Sequence, residues 1–514
     1  MLKVVKVTIY CTYQFLINTY TNLHFNIKNI LLNYGFKVSN SNNNIYLPLY
    51  KSLKSAIIKK GLEENLKLPP TRVLAKDLGI SRSTVVKAYN LLTLEKFVDA
   101  IPGSGYYVVS LKSQNTEDNF KSHLNNGGYP KKSMIAQSFD KNLQILSTAK
   151  RGVAFRPGLP PLDVFPVQHW KKLSNDYWRT VRASELSYSS ALGLECLRRN
   201  IADYLKIYRS INCSYYQIVI TTGSLHSLYL IGSALIDPND DVVMENPTYP
   251  YAYNLFDNLK ASIHLSEIDE EGIEITGLRC TNPKLIYTTP SNQYPKGIKM
   301  SLKRRMELLK WASSNSSIII EDDYDHEFSN LENPISSLFS LDKQERVFYL
   351  GTFNKLLHPS IRIGYMIVPN YLIDTIRALT EQSTRFVSPS IQNTLSNFIE
   401  KDYLNKHLRR VLEVSMDRKS FFLNYFKNIF SNDIRISPYN SGLHLIGKLP
   451  LQIKDKKFSE ALLKKGIIAH PYSKYFMNNK PENGLVLGYA SVNKKVIRDT
   501  IDRMNKEFEN FKIG

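Results

Sequence analysis

From about residue 152 onward, amphipathic helical stretches alternate with short β-rich runs, and this alternation restricts the possible folds more than any other feature of the chain. LECLRRNIADYLKIY (194–208) is typical of the helical stretches, and the runs include QIVITT, DVVMEN, KLIYTT, SIIIED and RVFYLGT. Helix and strand in alternation predict an α/β domain. The strands lack a clean in-and-out pattern, as expected when helices cover both faces of a mostly parallel sheet. Several end at Gly, Asn, Ser or Asp, and ligands of such sheets sit at the carboxyl ends of the strands.

The 514 residues hold about three domains' worth of chain. Residues 1–44 carry four lysines and no acid, end in a polar run, and read as an amino-terminal extension without an assigned role. Residues 45–110 form a compact unit. Residues 111–150, polar and containing Asn-Asn-Gly-Gly-Tyr-Pro, read as a linker. The α/β domain takes residues 151–514. Lys and Arg (67) exceed Asp and Glu (46), which favours a polyanionic partner, although the abundance of Asn, Lys, Ile and Tyr also fits an AT-rich coding bias. The four cysteines are widely spaced, with no C-x-x-C pair, and predict neither a zinc site nor a disulfide framework. No uncharged apolar run reaches membrane-spanning length and no signal peptide is evident, so the expectation is a cytoplasmic protein.

Within 45–110, Leu49, Leu53, Ile57 and Ile58 fall at helical spacing, with Gly61 expected to stop that helix. Thr71 is expected to cap a short helix through Leu74, Ala75 and Leu78, ended by Gly79, and Ser81 to cap a third helix. Helix, glycine turn, helix is a helix-turn-helix. The run VDAIPGSGYYVV then predicts a hairpin, which after a third helix is a wing. Ser81, Arg82, Ser83 and Thr84 open the third helix, where backbone amides and the dipole favour phosphate and short side chains reach base edges. Arg72 opens the helix before it. The unit has ten basic residues against five acids. A winged-helix protein–protein module with solvated charges would share this pattern. LPPTRVLAKDLGISRSTVVKAYNLLTLEKFVDAIPGSGYYV resembles the DNA-binding domain of GntR-type bacterial repressors, and the resemblance implies DNA contacts from Arg72, Ser81, Arg82, Thr84 and the wing at Gly103.

In the large domain, RVFYLGTFNKLLHPSIRIGYMIVP joins a strand to a turn holding Lys355, with Arg362 seven residues on. A lysine at a strand end can be desolvated and nucleophilic, as a Schiff base requires. Asp322 ends another strand and Tyr324 follows it. Thr222, Gly223 and Ser224 join a strand to a helix start. Carboxylate, phosphate cradle and amine together suit pyridoxal phosphate. Lys355 would form the Schiff base, Asp322 would keep the pyridine nitrogen protonated, and Tyr324 would touch the ring oxygen. Gly223, Ser224 and Leu225 would cradle the phosphate with Thr352 and Arg362, and Tyr249 would stack on the ring.

The stretch from about Phe155 onward resembles fold-type I aminotransferases. FRPGLPPLDVFPVQHW, YSSALGLECLRRNIADYL, TTPSNQYPKG, IIEDDYDHEF and GTFNKLLHPSIRIGY resemble the MocR/GabR regulators, which fuse a GntR-type winged helix to an aminotransferase-like domain. The resemblance implies a homodimer in which Tyr188 reaches the partner's phosphate, and a cofactor contact from Gln293 in the PSNQ motif. This chain departs from the family pattern at Asn354, Asn292 and Val486. The last stands in GLVLGYAS where aminotransferases place an arginine for the substrate carboxylate, and a buried carboxylate without a cation is costly. The reading is therefore a regulator that binds operator DNA and senses an amine or a vitamer. The rivals are an aminotransferase carrying a DNA-binding domain and a scaffold holding no cofactor.

Overall fold

The computed structural model describes residues 27–37, 45–109, 130–141 and 154–513, apart from 279, 281, 329–334, 432, 440–441 and 479. The chain divides into two compact units, Met1–Lys131 and Lys132–Gly514.

In the first unit, α1 (27–33) precedes α2 (Tyr46–Ile58), α3 (Thr71–Leu78), α4 (Arg82–Leu94) and the antiparallel hairpin β1 (Val98–Ile101) and β2 (Gly105–Val108). Apolar residues at helical spacing explain the packing: Leu49, Leu53 and Ile57 of α2 meet Leu74 and Leu78 of α3 and Val85, Tyr89 and Leu92 of α4 in one core. Tyr89 is fully buried and donates to the carbonyl of Pro69 at 3.0 Å, fixing the start of α3 against α4. Ser81 caps α4 as expected, its hydroxyl accepting from the Thr84 amide at 3.1 Å. One expectation fails here. Thr71 is the first helical residue rather than the cap; Pro70 holds that position with no side-chain cap, and the Thr71 hydroxyl accepts from Arg82 Nε instead. α2 ends at Ile58, and the Gly61 amide closes that end by donating to the Ala56 carbonyl at 2.7 Å. A Cβ at Gly61 would lie 2.7 Å from the Tyr34 hydroxyl, so the glycine makes room for a side chain of the amino-terminal extension. Ile27, Leu31 and Phe36 of that extension are buried in the same core. Residues 27–37 are thus part of the winged-helix unit and not an appendage to it.

The second unit opens with α5 (Met134–Lys141), which lies inside the stretch read as linker. Ser138 of α5 is buried and accepts from Lys260 Nζ at 3.2 Å, so this part of the stretch packs on the large domain. The main sheet has eight strands in the order β3 (Ile218–Thr221), β10 (Gly364–Ile367), β9 (Val347–Thr352), β8 (Ile318–Asp322), β7 (Leu285–Thr288), β4 (Asp241–Asn246), β5 (Ser262–Asp269) and β6 (Gly272–Ile273). Strands β9, β8, β7, β4 and β5 run parallel; β10 is antiparallel to both its neighbours, and β6 to β5. All residues of β3, β7, β8 and β10 are buried, which accounts for the missing alternation in their sequences. Helices α6 (Val167–Thr180), α7 (Glu195–Arg209), α8 (Ser224–Leu235), α9 (Pro250–Asn258) and α10 (Leu302–Ser314) lie along the chain between these strands and before them. A second, antiparallel sheet of β11 (Arg435–Ile436), β12 (His444–Lys448), β14 (Gly484–Gly488) and β13 (His470–Pro471) has its own aromatic core, with Phe155, Phe422, Phe426 and Phe508. Among the described residues no helix is long and apolar enough to cross a membrane.

Candidate functional site

The first unit presents one polar face at the start of α4. Arg72, Ser81, Arg82 and Ser83 are exposed and Thr84 is half-buried. The Ser81 hydroxyl lies 2.8 Å from those of both Ser83 and Thr84. These short side chains are hydrogen-bonded to one another, and a helix start of this kind is a setting that favours an anion. Gly103 turns the β1–β2 hairpin with φ +76°, a conformation that favours glycine. Near the wing, Tyr107 meets the Lys67 ammonium 5.7 Å from its ring centre, a cation and ring that sequence reading had not joined because they pair across a strand bridge.

In the second unit, a cavity of about 390 Å³ lies at the carboxyl ends of the parallel strands and is lined by nine of the eleven residues singled out for the cofactor. Lys355, Asp322, Tyr324, Gly223, Ser224, Leu225, Tyr249, Thr352 and Arg362 all border it, with Asn354 and Tyr287 beside them. The two exceptions are Gln293 and Tyr188.

Lys355 leaves β9 three residues after Thr352, and its ammonium donates to the carbonyl of Gly158 at 2.8 Å. Gly158 has φ +70°, and a Cβ there would lie 2.5 Å from Lys355 Nζ, so the glycine leaves space for the amine. Loss of hydration lowers the pKa of Lys355, while the carboxylates of Asp325 and Asp322 act to raise it. Asp322 ends β8 and is buried. Tyr287 donates to its Oδ2 at 2.8 Å, and its Oδ1 is enclosed without a partner among the described residues. Burial is the main reason its pKa rises to about 7, with the Asp323 charge adding to it and Tyr287 and Lys355 opposing it. A buried carboxylate oxygen left unpaired costs free energy, and a cationic N–H placed against it would relieve that cost.

Gly223 is the residue before α8 and has φ +127°. Gly364 packs so close that a Cβ there would meet the Gly223 backbone at 2.8 Å, so two glycines bring β10 against this helix start. Thr352 and Arg362 flank the same corner, and the Arg362 charge joins burial in lowering the pKa of His226 on α8. Free amides, a hydroxyl and a guanidinium at one helix start are the chemistry of a phosphate seat. Tyr324 donates to the Asn292 carbonyl at 3.1 Å, and Asn292 donates to Asp325 at 2.7 Å, so Asn292 ties Tyr324 to Asp325.

Gln293 does not reach the cavity. Its amide donates to the carbonyls of Pro247 and Tyr294 and to Glu245, and its oxygen accepts from the Lys296 amide, which spends its hydrogen-bonding capacity on holding the loop. It is a positioning residue, correcting the expected cofactor contact. Tyr188 is 79% exposed, with the Arg385 guanidinium 4.7 Å from its ring centre, and it lies outside the lining of its own chain's cavity. Tyr287 was missed by sequence reading because it lies in an apolar strand, where only the register against β8 brings it to Asp322.

Residues 45–108 match the family described as bacterial regulatory proteins, gntR family. The chain is similar to the probable rhizopine catabolism regulatory protein MocR of Rhizobium meliloti, 30% identical over 465 residues that cover 90% of this chain and 93% of that protein. It is also similar to the HTH-type transcriptional regulator YdeL of Bacillus subtilis, 32% identical over 460 residues, 90% of this chain and 96% of the relative. Among solved structures, LysN, the alpha-aminoadipate aminotransferase of Thermus thermophilus, shares the fold of the large unit with a TM-score of 0.66 at 22% identity, covering 74% of this chain and 99% of that one. Fold and site therefore define a winged helix-turn-helix DNA reader joined to a fold-type I aminotransferase-like α/β domain. The chain belongs to the MocR-type, GntR-family transcriptional regulators.

Proposed function

We propose that the chain is a cytoplasmic homodimeric regulator whose large domain holds pyridoxal phosphate on Lys355 and senses an amine or vitamer through it. The observation that carries this reading is the unpartnered Oδ1 of Asp322 across the same cavity as Lys355. Pyridoxal phosphate, when bound, supplies an aldehyde that condenses with primary amines and a ring that draws electrons from them. Asp322 Oδ1 would accept from the ring N–H, and Tyr287 would hold the carboxylate in place through Oδ2. Gly223, Ser224, Leu225, Thr352 and Arg362 would seat the phosphate, Tyr249 would flank the ring, and Tyr324 would border its oxygen. The lowered pKa of Lys355 raises the share of neutral, nucleophilic amine near neutral pH. The exposed Tyr188 fits a role in a partner's phosphate seat.

The first unit would read two operator half-sites, one per protomer, with Arg72, Ser81, Arg82, Ser83, Thr84 and Gly103 at the DNA. Val486 is completely buried in β14 against Ile446, Tyr472 and Tyr475, which favours sensing over transamination of an ordinary α-amino acid bound in the ordinary way. Borohydride reduction followed by peptide mapping tests the reading. The pyridoxyl group should be found on Lys355 and be absent from Lys355→Ala; its presence on another lysine refutes the assignment.

A further inference from the structure

Away from the Lys355 cavity, Asp241, His264 and Cys280 each bring one ligand atom to a common point, and the three atoms lie within 4.8 Å of one another. Sheet register makes this meeting. Asp241 is the first residue of β4 and stands opposite Ser262 in the parallel pairing with β5, so His264, two residues on, shares its face of the sheet. Val243, the partner of His264, belongs to the core closed by Leu308 and Ala312 of α10, and Ile275 and Leu278 between β6 and β7 pack on that core. Cys280 follows in the same segment and is buried. Backbone bonds fix the corner: the Ser262 amide donates to the Asp240 carbonyl and the Lys284 amide to the Asp241 carbonyl, each at 2.8 Å. The cluster thus sits at the amino end of β4, whereas the Lys355 cavity lies at the carboxyl ends of the parallel strands.

The three donors meet around hydrogens. His264 Nε2 lies 2.7 Å from Asp241 Oδ1, and the Cys280 thiol donates to the same carboxylate. Tetrahedral bonds of about 2.0–2.3 Å put neighbouring ligand atoms about 3–4 Å apart, so one dication in place of these hydrogens needs only a small contraction. Thiolate, imidazole and carboxylate together select zinc-like ions over magnesium or calcium, which take oxygen ligands. The Asp241 and His264 side chains are each 38% exposed, which leaves room for water at the remaining position. Beside them, Asp237 and Asp240 share the Lys284 ammonium at 3.8 and 2.7 Å, two carboxylates to one cation, a setting that draws positive ions.

We propose that Asp241, His264 and Cys280 form a binding site for a divalent transition metal of zinc-like preference, with water as the fourth ligand. Binding sends the thiol proton to solvent and leaves the neutral imidazole with its proton on Nδ1, so a single ion replaces both hydrogens at the centre. The ion then ties the start of β4, β5 and the segment before β7 to one another. Cysteine spacing gives no sign of such a site, because its ligands come from separate segments that only the sheet brings together. The inference is independent of the role given to Lys355.

The test uses the untagged, full-length protein, kept reduced and stripped with a chelator, then titrated with zinc against a chromophoric chelator and separately with cobalt(II). About one zinc ion per chain should bind, with micromolar affinity or tighter, and cobalt should give the intense red-end visible absorption of a tetrahedral thiolate site, clear of any cofactor band. Zinc affinity should fall about hundredfold in Cys280→Ser and in His264→Gln, and about tenfold or more in Asp241→Asn. Cys196→Ser, at an exposed position elsewhere, should bind as the wild type does. Should the buried Cys280→Ser fail to fold, His264→Gln at its half-exposed position decides the matter. A wild type without stoichiometric zinc, or an unchanged affinity in His264→Gln, overturns the proposal.

Discussion

The substitution Asp322→Asn should make the cofactor-free protein more stable at pH 8 while weakening its hold on the cofactor. The carboxyl group titrates at about 7 in the fold, against about 3.9 in an unfolded chain. A folded pKa above the unfolded one means that the native state binds more protons between about pH 4 and 7, so the contribution is fully present below pH 4 and is lost as pH rises from there through 7. At about 1.4 kcal/mol per unit over roughly three units, the loss is on the order of 4 kcal/mol. The introduced amide keeps an acceptor for Tyr287 and has no charge to desolvate, so the variant should lack this slope. The assay is urea unfolding of protein stripped of cofactor with hydroxylamine, followed through the transition of the large unit at pH 5 and pH 8. Cofactor affinity of the variant should fall about tenfold or more, since one charge-assisted hydrogen bond is worth about 1.5–3 kcal/mol. Parallel pH profiles for the two proteins, or equal cofactor affinity, would refute the role given to Oδ1.

Arg82→Ala should weaken operator binding and reduce the slope of log affinity against log salt by about one, measured by fluorescence anisotropy from low to moderate salt. An unchanged slope and selectivity would remove Arg82 from the DNA face. Phe36→Ala should destabilise the winged-helix unit by about 3–5 kcal/mol, as expected for a buried phenylalanine; an unchanged melting temperature for that unit would detach the extension from its core.

The α/β domain was legible because its strands are buried on both faces, and uninterrupted apolar runs such as SIIIED leave few other folds open. The wing and the Ser81 cap were legible because turn and cap chemistry is local. Residues fixed by long-range packing were not. That Gly61 also makes room for Tyr34 shows only in the packing, and the apolar residues of α1 are too few to announce a core they only complete. Gln293 sits in a motif beside the cavity, and only its hydrogen bonds to Glu245 and Pro247 show that it faces the other way.

Chemistry at Lys355 is expected to alter DNA binding. An effector can shift operator affinity only as far as it binds two domain arrangements differently, typically about 1–3 kcal/mol or roughly tenfold. The direct measurement is the affinity of cofactor-loaded wild type and Lys355→Ala for an operator selected from a random-sequence library, with and without the amine that most perturbs the cofactor absorbance. A shift of about tenfold in the wild type that is absent in Lys355→Ala is the expected result. An identical response from both proteins, or no response from the wild type, would contradict the account and leave the large domain as a dimerisation scaffold.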